Sequence, residues 1–338
     1  MDLRPSDEQR QLVGAFAALF SDMSTPDDVQ AAEPLGHAPA LWDHVLALGG
    51  VAMGVPEARG GGGAGLLDLA LVAEQVGRFV APVPLIDAQV AARLLARLGA
   101  DTVVAGVLAD VIAGGRLVTL AVLPVSAGRA TLVPAAAVAD DAIVRSGDRL
   151  LLVSLAGHRT PVANIGCLPL ADVEVPADAV ELASGPDAIA AFDSALDAWR
   201  VLTAAALGGV AARALEIGIE YVKVRKAFGK VIGEFQGISH RLADRATECD
   251  GAQLLARKAA WAADVRDERA SELAAMALGF AADAARATAQ NALHFHGGYG
   301  FMLEYPVQLY WRRARSWAAV LENPAASYRL VEERRRAS

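Results

Sequence analysis

Only two cysteines occur among the 338 residues, Cys167 and Cys249, far apart and without CxxC spacing. A disulfide framework is therefore not expected, and the pattern fits core residues in a reducing cytoplasm. The chain also lacks any basic block or basic strip interleaved with aromatics, and its formal net charge is -8, so a nucleic-acid footprint is not expected. The one charge cluster, Glu332 to Arg336, reads as a solvated helix end. No uncharged apolar run reaches the roughly 18 residues that cross a bilayer, and the first residues are acidic and polar. No Gly-Lys-Ser/Thr follows any glycine run, which leaves no P-loop; RGGGGAG at 59–65 reads as a flexible connection between helices. What remains is a folded, cytoplasmic, non-membrane chain whose 54% hydrophobic content supports a sizeable core.

Three compositional zones follow one another, and together they predict an α+β, mostly helical fold. Residues 1–115 carry helical spacing: after Ser6, a plausible N-cap, Leu12, Phe16, Ala17 and Phe20 fall on one face. Residues 116–185 switch to short Val/Leu-rich runs separated by Gly, Pro and Asp, the pattern of a small β domain. Residues 186–338 return to long helical segments. There Leu207, Val210, Ala211, Ala214, Leu215, Gly218 and Val222 form one stripe whose small members let helices approach closely, which predicts a C-terminal helical bundle.

Two stretches carry candidate chemistry. In RKAFGKVIGEFQGISHRLAD, residues 225–244, Arg225 offers a planar fork for a phosphate or carboxylate. Phe228 and Gly229 break the helix where backbone could approach a ligand, and Gln236 adds an amide. From the residues alone, a plain helix–loop–helix turn with a solvated arginine is the more ordinary reading of so short a motif. In HFHGGYGFMLEYP, residues 294–306, a metal site at His294 and His296 would need a third ligand, and no Cys/His cluster accompanies the pair. A glycine turn pressed against something large and flat is the other reading.

These two stretches, with SDEQRQLV, with LGGVAMGVPEARGGGGAGLLDLALVAEQVGR at 48–78, with LPLADVEVPAD at 168–178 and with FHGGYGFMLEYPVQLYWRRAR at 295–315, closely resemble the acyl-CoA dehydrogenase family of flavoproteins. The resemblance implies N-terminal helices, a middle β domain, and a C-terminal four-helix bundle through which subunits assemble. It implies FAD as cofactor, an acyl-CoA as substrate and an electron-transfer flavoprotein as acceptor. It assigns Gly297 and Gly298 to backbone contact with the FAD of a neighbouring subunit, with His294 standing where the family usually has glutamine. Arg225, Phe228 and Gln236 fall to the adenosine and diphosphate part, across a subunit interface. That agrees with the bidentate pairing a guanidinium makes with a diphosphate.

The family reaction takes the α-proton of the thioester with a desolvated carboxylate while the β-hydrogen leaves as hydride to flavin. By resemblance that carboxylate stands at one of two positions. The first holds Trp199, followed by Arg200, which the resemblance puts near the acyl thioester. The second holds Leu321, with Glu322 one residue later. No tryptophan occurs between Trp42 and Trp199 to cover a flavin ring. A chain that keeps residues reaching across to a cofactor but lacks those completing its own chemistry resembles the short partner subunits of actinobacterial α2β2 sterol side-chain acyl-CoA dehydrogenases. Two other readings stay open. One is a self-sufficient homo-oligomer using Glu322 as base; the other is a flavin-free acyl-CoA-binding or scaffold protein. Asp197 is a weaker base candidate, since on a helix it points about 200° from position 199.

Overall fold

The computed structural model describes residues 3–99 and 102–337. The chain is α+β and mostly helical: α1 (Asp7–Met23), α2 (Pro26–Ala32), α3 (Pro39–Ala47), α4 (Leu66–Arg78), α5 (Leu85–Leu98) and α6 (Thr102–Ile112) precede seven strands. These are β1 (Val118–Leu120), β2 (Arg129–Val133), β3 (Asp141–Ser146), β4 (Arg149–Ser154), β5 (Arg159–Pro161), β6 (Ala171–Glu174) and β7 (Val180–Ser184). After them come α7 (Pro186–Val224), the short strands β8 (Lys226–Ala227) and β9 (Lys230–Val231), α8 (Gln236–Asp264), α9 (Ala270–His296), α10 (Val307–Ser316) and α11 (Pro324–Ala337). By compactness the chain divides into two units, one of Asp28–Leu69 and Pro82–Trp199, the other of Met1–Asp27, Ala70–Ala81 and Arg200–Ser338.

In the first unit, α5 packs on α6 and on β1. The strands form a four-stranded sheet in the order β1-β3-β4-β7 and a three-stranded sheet in the order β2-β6-β5; every pairing is antiparallel except β1 with β3. Val144, Leu151 and Val153 of one sheet share a core with Ala130, Val133 and Val173 of the other. That is the alternation expected of strands with one buried face. The glycine run at 59–65 is not a flexible connection. A Cβ on Gly61 would lie 2.2 Å from the Val55 carbonyl oxygen, and one on Gly62 would meet Met53 Cα at 3.1 Å. The glycines are there because the loop is folded tightly back on residues 52–56.

In the second unit the Ser6 cap forms as the sequence predicts: Ser6 Oγ accepts the Gln9 N–H at 3.1 Å and Gln9 Oε1 accepts the Ser6 N–H at 2.9 Å. Phe16 and Phe20 of α1 are fully buried. Of the predicted α7 stripe, Leu207, Val210, Ala211, Ala214, Gly218 and Val222 are buried and Leu215 half-buried. One stretch of α7 is apolar and long enough to cross a membrane by composition, but 72% of it is buried inside the protein, as in the core helix of a bundle. Helices α8, α10 and α11 all pack on α9.

Where α4 meets α7 the two backbones touch. A Cβ on Gly77 would fall 1.7 Å from the Ala206 carbonyl oxygen, and one on Gly209 would fall 2.0 Å from the Glu74 carbonyl oxygen. Around this contact Arg78 pairs with both oxygens of Glu216 at 2.8 Å, Arg257 Nη2 reaches Glu74 at 2.9 Å, and the Tyr310 hydroxyl donates to the Arg78 carbonyl at 2.9 Å. Burial pushes the Glu216 carboxyl up, but hydrogen bonds from Arg78 and Arg213 more than offset it and hold it below its usual range.

The C-terminal charge cluster is not simply solvated. Arg335 reaches Glu272 Oε1 at 2.5 Å and Arg334 donates to the Ser271 carbonyl, fastening α11 to the start of α9. Hydrogen bonds from Arg269 and Arg335 hold the Glu272 carboxyl down at about 2.

Three substitutions test these features. Gly77→Ala destabilises the chain by about 3 kcal/mol in urea unfolding, because overpacking exceeds the roughly 1 kcal/mol that alanine gains over glycine inside a helix. Gly106→Ala on α6, where a Cβ meets nothing within 4 Å, is neutral or mildly stabilising. For Glu272, whose folded-state pKa lies below the unfolded one, the ion-pair contribution is complete above pH 4.5 and is lost as pH falls toward 2. Glu272→Gln therefore gives a shallower decline of stability across that window, measured by chemical unfolding at stepped pH.

Candidate functional site

The 225–236 stretch folds as a tight hairpin rather than an open turn. Helix α7 stops at Val224, β8 pairs with β9, and the two connecting residues both take positive φ, +51° at Phe228 and +81° at Gly229. Two positive-φ residues in a two-residue loop match a primed hairpin turn, in which glycine is easy and phenylalanine is strained. Phe228 is also 96% exposed. Its ring meets Phe235 edge-on with centroids 6.3 Å apart, and Lys230 Nζ lies 4.5 Å over the Phe235 ring. Arg225 and Gln236 are both exposed, Gln236 being the first residue of α8.

Helices α8 and α9 are joined by five residues and run antiparallel, so the start of α8 and the end of α9 lie at one end of the bundle. The α7 terminus comes to the same place: Tyr221 stacks on His296 with ring centroids 3.9 Å apart, and a Cβ on Gly218 would meet Ala292 at 3.2 Å. All six predicted cofactor residues, Arg225, Phe228, Gln236, His294, Gly297 and Gly298, are thus brought to this end, and all six are exposed.

The two histidines differ in role. His296 is buried, its Nδ1 lies 2.7 Å from the Ala292 carbonyl, and burial lowers its pKa. Among the described residues no group of three or more His, Cys, Asp or Glu is placed to hold a metal. The glycines differ too. Gly297 ends α9 at φ +61°, and a Cβ on Gly300 would sit 2.6 Å from the Leu293 carbonyl oxygen, so the fold requires both. Gly298 has neither constraint: its φ is ordinary and a Cβ there meets nothing within 4 Å. With a strained exposed phenylalanine and an exposed guanidinium at the same end, that bare backbone suits a flat cofactor with a diphosphate lying against the surface.

Both positions to which the sequence resemblance assigns a base hold side chains that cannot take a proton. Trp199 is buried, and its Nε1–H donates to Asp87 Oδ1 on α5 at 2.9 Å. Burial pushes the Asp87 carboxyl up to about 6 against the opposing pull of that hydrogen bond. Leu321 is half-buried. Next to it Glu322 Oε1 accepts from Arg200 Nε at 3.2 Å and from Ser327 Oγ at 2.9 Å, with the Glu322 side chain 12% and the Arg200 side chain 8% exposed. Neither Ser327 nor Asp87 stood out in the sequence. Ser327 is one small polar residue in the first turn of α11, and Asp87 lies 112 positions from the tryptophan it meets.

The chain matches known proteins along nearly all of its length. Residues 6–115 match the family model "Acyl-CoA dehydrogenase, N-terminal domain" and residues 189–320 match "Acyl-CoA dehydrogenase, C-terminal domain". The chain is 30% identical to acyl-CoA dehydrogenase IpdE2 of Mycolicibacterium smegmatis, over 97% of this chain and 98% of that one. It is 29% identical to benzylmalonyl-CoA dehydrogenase of Aromatoleum aromaticum, over 93% and 94%. Among solved structures it is similar to one in the ChsE4-ChsE5 complex of Mycobacterium tuberculosis, with TM-score 0.90, 25% identity and 100% of both chains covered. A steroid acyl-CoA dehydrogenase, the Tcur3481-Tcur3483 G363A variant, matches with TM-score 0.88, 26% identity and 98% of both chains covered. The chain belongs to the acyl-CoA dehydrogenase family, flavin-dependent oxidoreductases that act on CH–CH bonds.

Removing Arg200 leaves the enclosed Glu322 carboxylate without its cationic partner. Arg200→Ala is therefore expected to destabilise the protein by about 3 kcal/mol, read from urea unfolding, with Arg200→Lys recovering only part of the loss.

Proposed function

We propose that this chain is the partner subunit that lacks the base in a heterotetrameric acyl-CoA dehydrogenase acting on a steroid side-chain CoA thioester. The observation that carries the reading is that neither position the resemblance gives to the base holds a carboxylate: Trp199 and Leu321 stand there, and the neighbouring Glu322 is held through Oε1 by Arg200 and Ser327. A general base must reach within about 3 Å of the proton it abstracts in a productive pose, and neither an indole N–H nor a leucine side chain accepts one. Removal of the α-proton is accordingly assigned to the second subunit.

The half of the site that this chain supplies is the exposed end of the bundle. When bound there, FAD provides the acceptor for the β-hydrogen, which departs as hydride. Arg225 would pair with the diphosphate, Phe228 and Gln236 would border the adenosine side, and His294 would place one hydrogen bond where the family has glutamine. Gly297 and Gly298 would let the backbone lie against the cofactor. The relatives support a two-chain assembly and a steroid substrate through the ChsE4-ChsE5 complex and the Tcur3481-Tcur3483 steroid enzyme. We place the assembly in the cytoplasm, in keeping with two cysteines that form no disulfide, and take an electron-transfer flavoprotein as its acceptor.

Native mass and flavin absorbance test this, with the chain prepared alone and together with a second acyl-CoA dehydrogenase subunit. The expected result is little flavin alone and two flavins per four chains in the mixed complex. Glu322→Gln in that complex should change turnover less than about tenfold, whereas loss of a general base costs about 10²–10⁴-fold. A yellow, active homotetramer that loses activity on Glu322→Gln overturns the reading.

A further inference from the structure

The two histidines at the bundle end stand in opposite surroundings. His296 is buried, stacked on Tyr221, and its Nδ1 is committed to the Ala292 carbonyl, so burial opposes a second proton on its ring. His294 comes two residues earlier, about 200° round the helix, and so turns outward. It is exposed, and among the described residues no hydrogen bond or ion pair engages its ring, whose one aromatic neighbour is Phe295 at 6.3 Å between centroids.

His294 closes an exposed strip of α9 that runs Asp283, Arg286, Gln290, His294 at spacings of three and four residues. Gln290 Oε1 accepts from Trp311 Nε1 at 2.9 Å and from Arg315 Nη2 at 3.0 Å, which brings a second guanidinium of α10 to the strip beside Arg286. The strip's carboxylate, Asp283, lies about 16 Å from His294 along the helix and accepts the Tyr328 hydroxyl at 3.0 Å. The elements that end beside His294 add to the same sign. Helix α7 and the hairpin bring Lys223, Arg225, Lys226 and Lys230, and the start of α8 brings His240 and Arg241, all exposed. Against them stand Glu220 and Glu234, paired with Arg213 at 3.4 Å and with Lys230 at 3.9 Å, and the exposed Asp244 and Glu304. Tyr299 and Tyr305 contribute rings, Tyr305 meeting His296 edge-on at 5.9 Å and Tyr299 at 5.5 Å. Cations outnumber carboxylates, so this end attracts an anion.

We infer that His294 couples this chain's hold on its cofactor to pH: with both ring nitrogens protonated it donates to the anionic part of FAD, and the cofactor is held more tightly as pH falls. A neutral imidazole has one donor and one acceptor, so only the protonated ring offers an anion both a donor from either nitrogen and a positive charge. Histidine is the side chain that gains charge between about pH 8 and pH 5, whereas the diphosphate keeps its charge throughout. Binding that favours the protonated ring takes up a proton, so affinity rises as pH falls through that range. The inference rests on the cofactor contact proposed above and adds the protonation step to it.

The test uses the complex of this chain with a second acyl-CoA dehydrogenase subunit, stripped of flavin and retitrated with FAD by flavin fluorescence from about pH 8 to about pH 5.5. The expected result is a Kd that falls about tenfold across the range, the size of one charge-assisted hydrogen bond. His294→Gln keeps a hydrogen-bonding side chain that cannot charge, and its Kd should stay flat. His240→Gln removes the other exposed histidine at this end and should leave the fall in place. A Kd that does not change with pH, or a fall that survives His294→Gln, overturns the coupling and leaves the cofactor contact standing. If no assembly containing this chain takes up FAD, both the contact and the coupling are overturned.

Discussion

The contact of α4 with α7 at Gly77 and Gly209 is the constraint on which the second unit depends. Neither backbone could come so near with any side chain at these positions, since each added Cβ would lie inside the other helix's carbonyl. Glu74, Gly77 and Arg78 share one face of α4, at helical spacings of three and four residues. With nothing projecting from the middle of that face, the charged residues on either side reach different helices, Glu74 to Arg257 on α8 and Arg78 to Glu216 on α7. Tyr310 on α10 then closes on the carbonyl of Arg78. A missing side chain thus brings four helices together, and the ion pairs around it are half-buried enough to fix direction more than to add stability.

Periodicity made the larger elements legible because it records a face repeated many times over. The α7 stripe, the Ser6 cap and the short strands of the β region each have that redundancy, and each formed as expected. The glycine run at 59–65 misled because glycine has two physical meanings, freedom of the chain and close approach to it. Only the position of the Val55 carbonyl tells them apart. The same ambiguity resolves oppositely at Gly298, which the fold does not need. The Phe228-Gly229 hairpin was half visible: the helix stop could be read, but a primed turn with phenylalanine in a left-handed conformation runs against local preference and needs the structure to reveal it.

Pairings that decide the chemistry were the least legible, because they join residues that share no local pattern. Arg200 and Glu322 are 122 positions apart, and Trp199 and Asp87 are 112 apart. Read in sequence, Glu322 is one residue from a base position and looks available. In the structure an arginine and a serine both donate to its Oε1. Trp199 settles the other position differently, by filling it with an indole whose only polar atom is a donor.

The interior and one part of the surface therefore follow opposite rules. Inside each unit, the carboxylates nearest the expected chemistry are engaged: Glu322 by Arg200 and Ser327, Asp87 by Trp199. At the bundle end, apolar groups stand in water: Phe228 is 96%, Phe301 62% and Leu303 63% exposed, beside a glycine whose backbone is bare for no internal reason. Strained or uncovered groups persist where something outside the chain offsets their cost, and apolar surface concentrated in one place points to a partner or ligand. A neighbouring subunit would complete such a surface, whether a second copy of this chain or a different one.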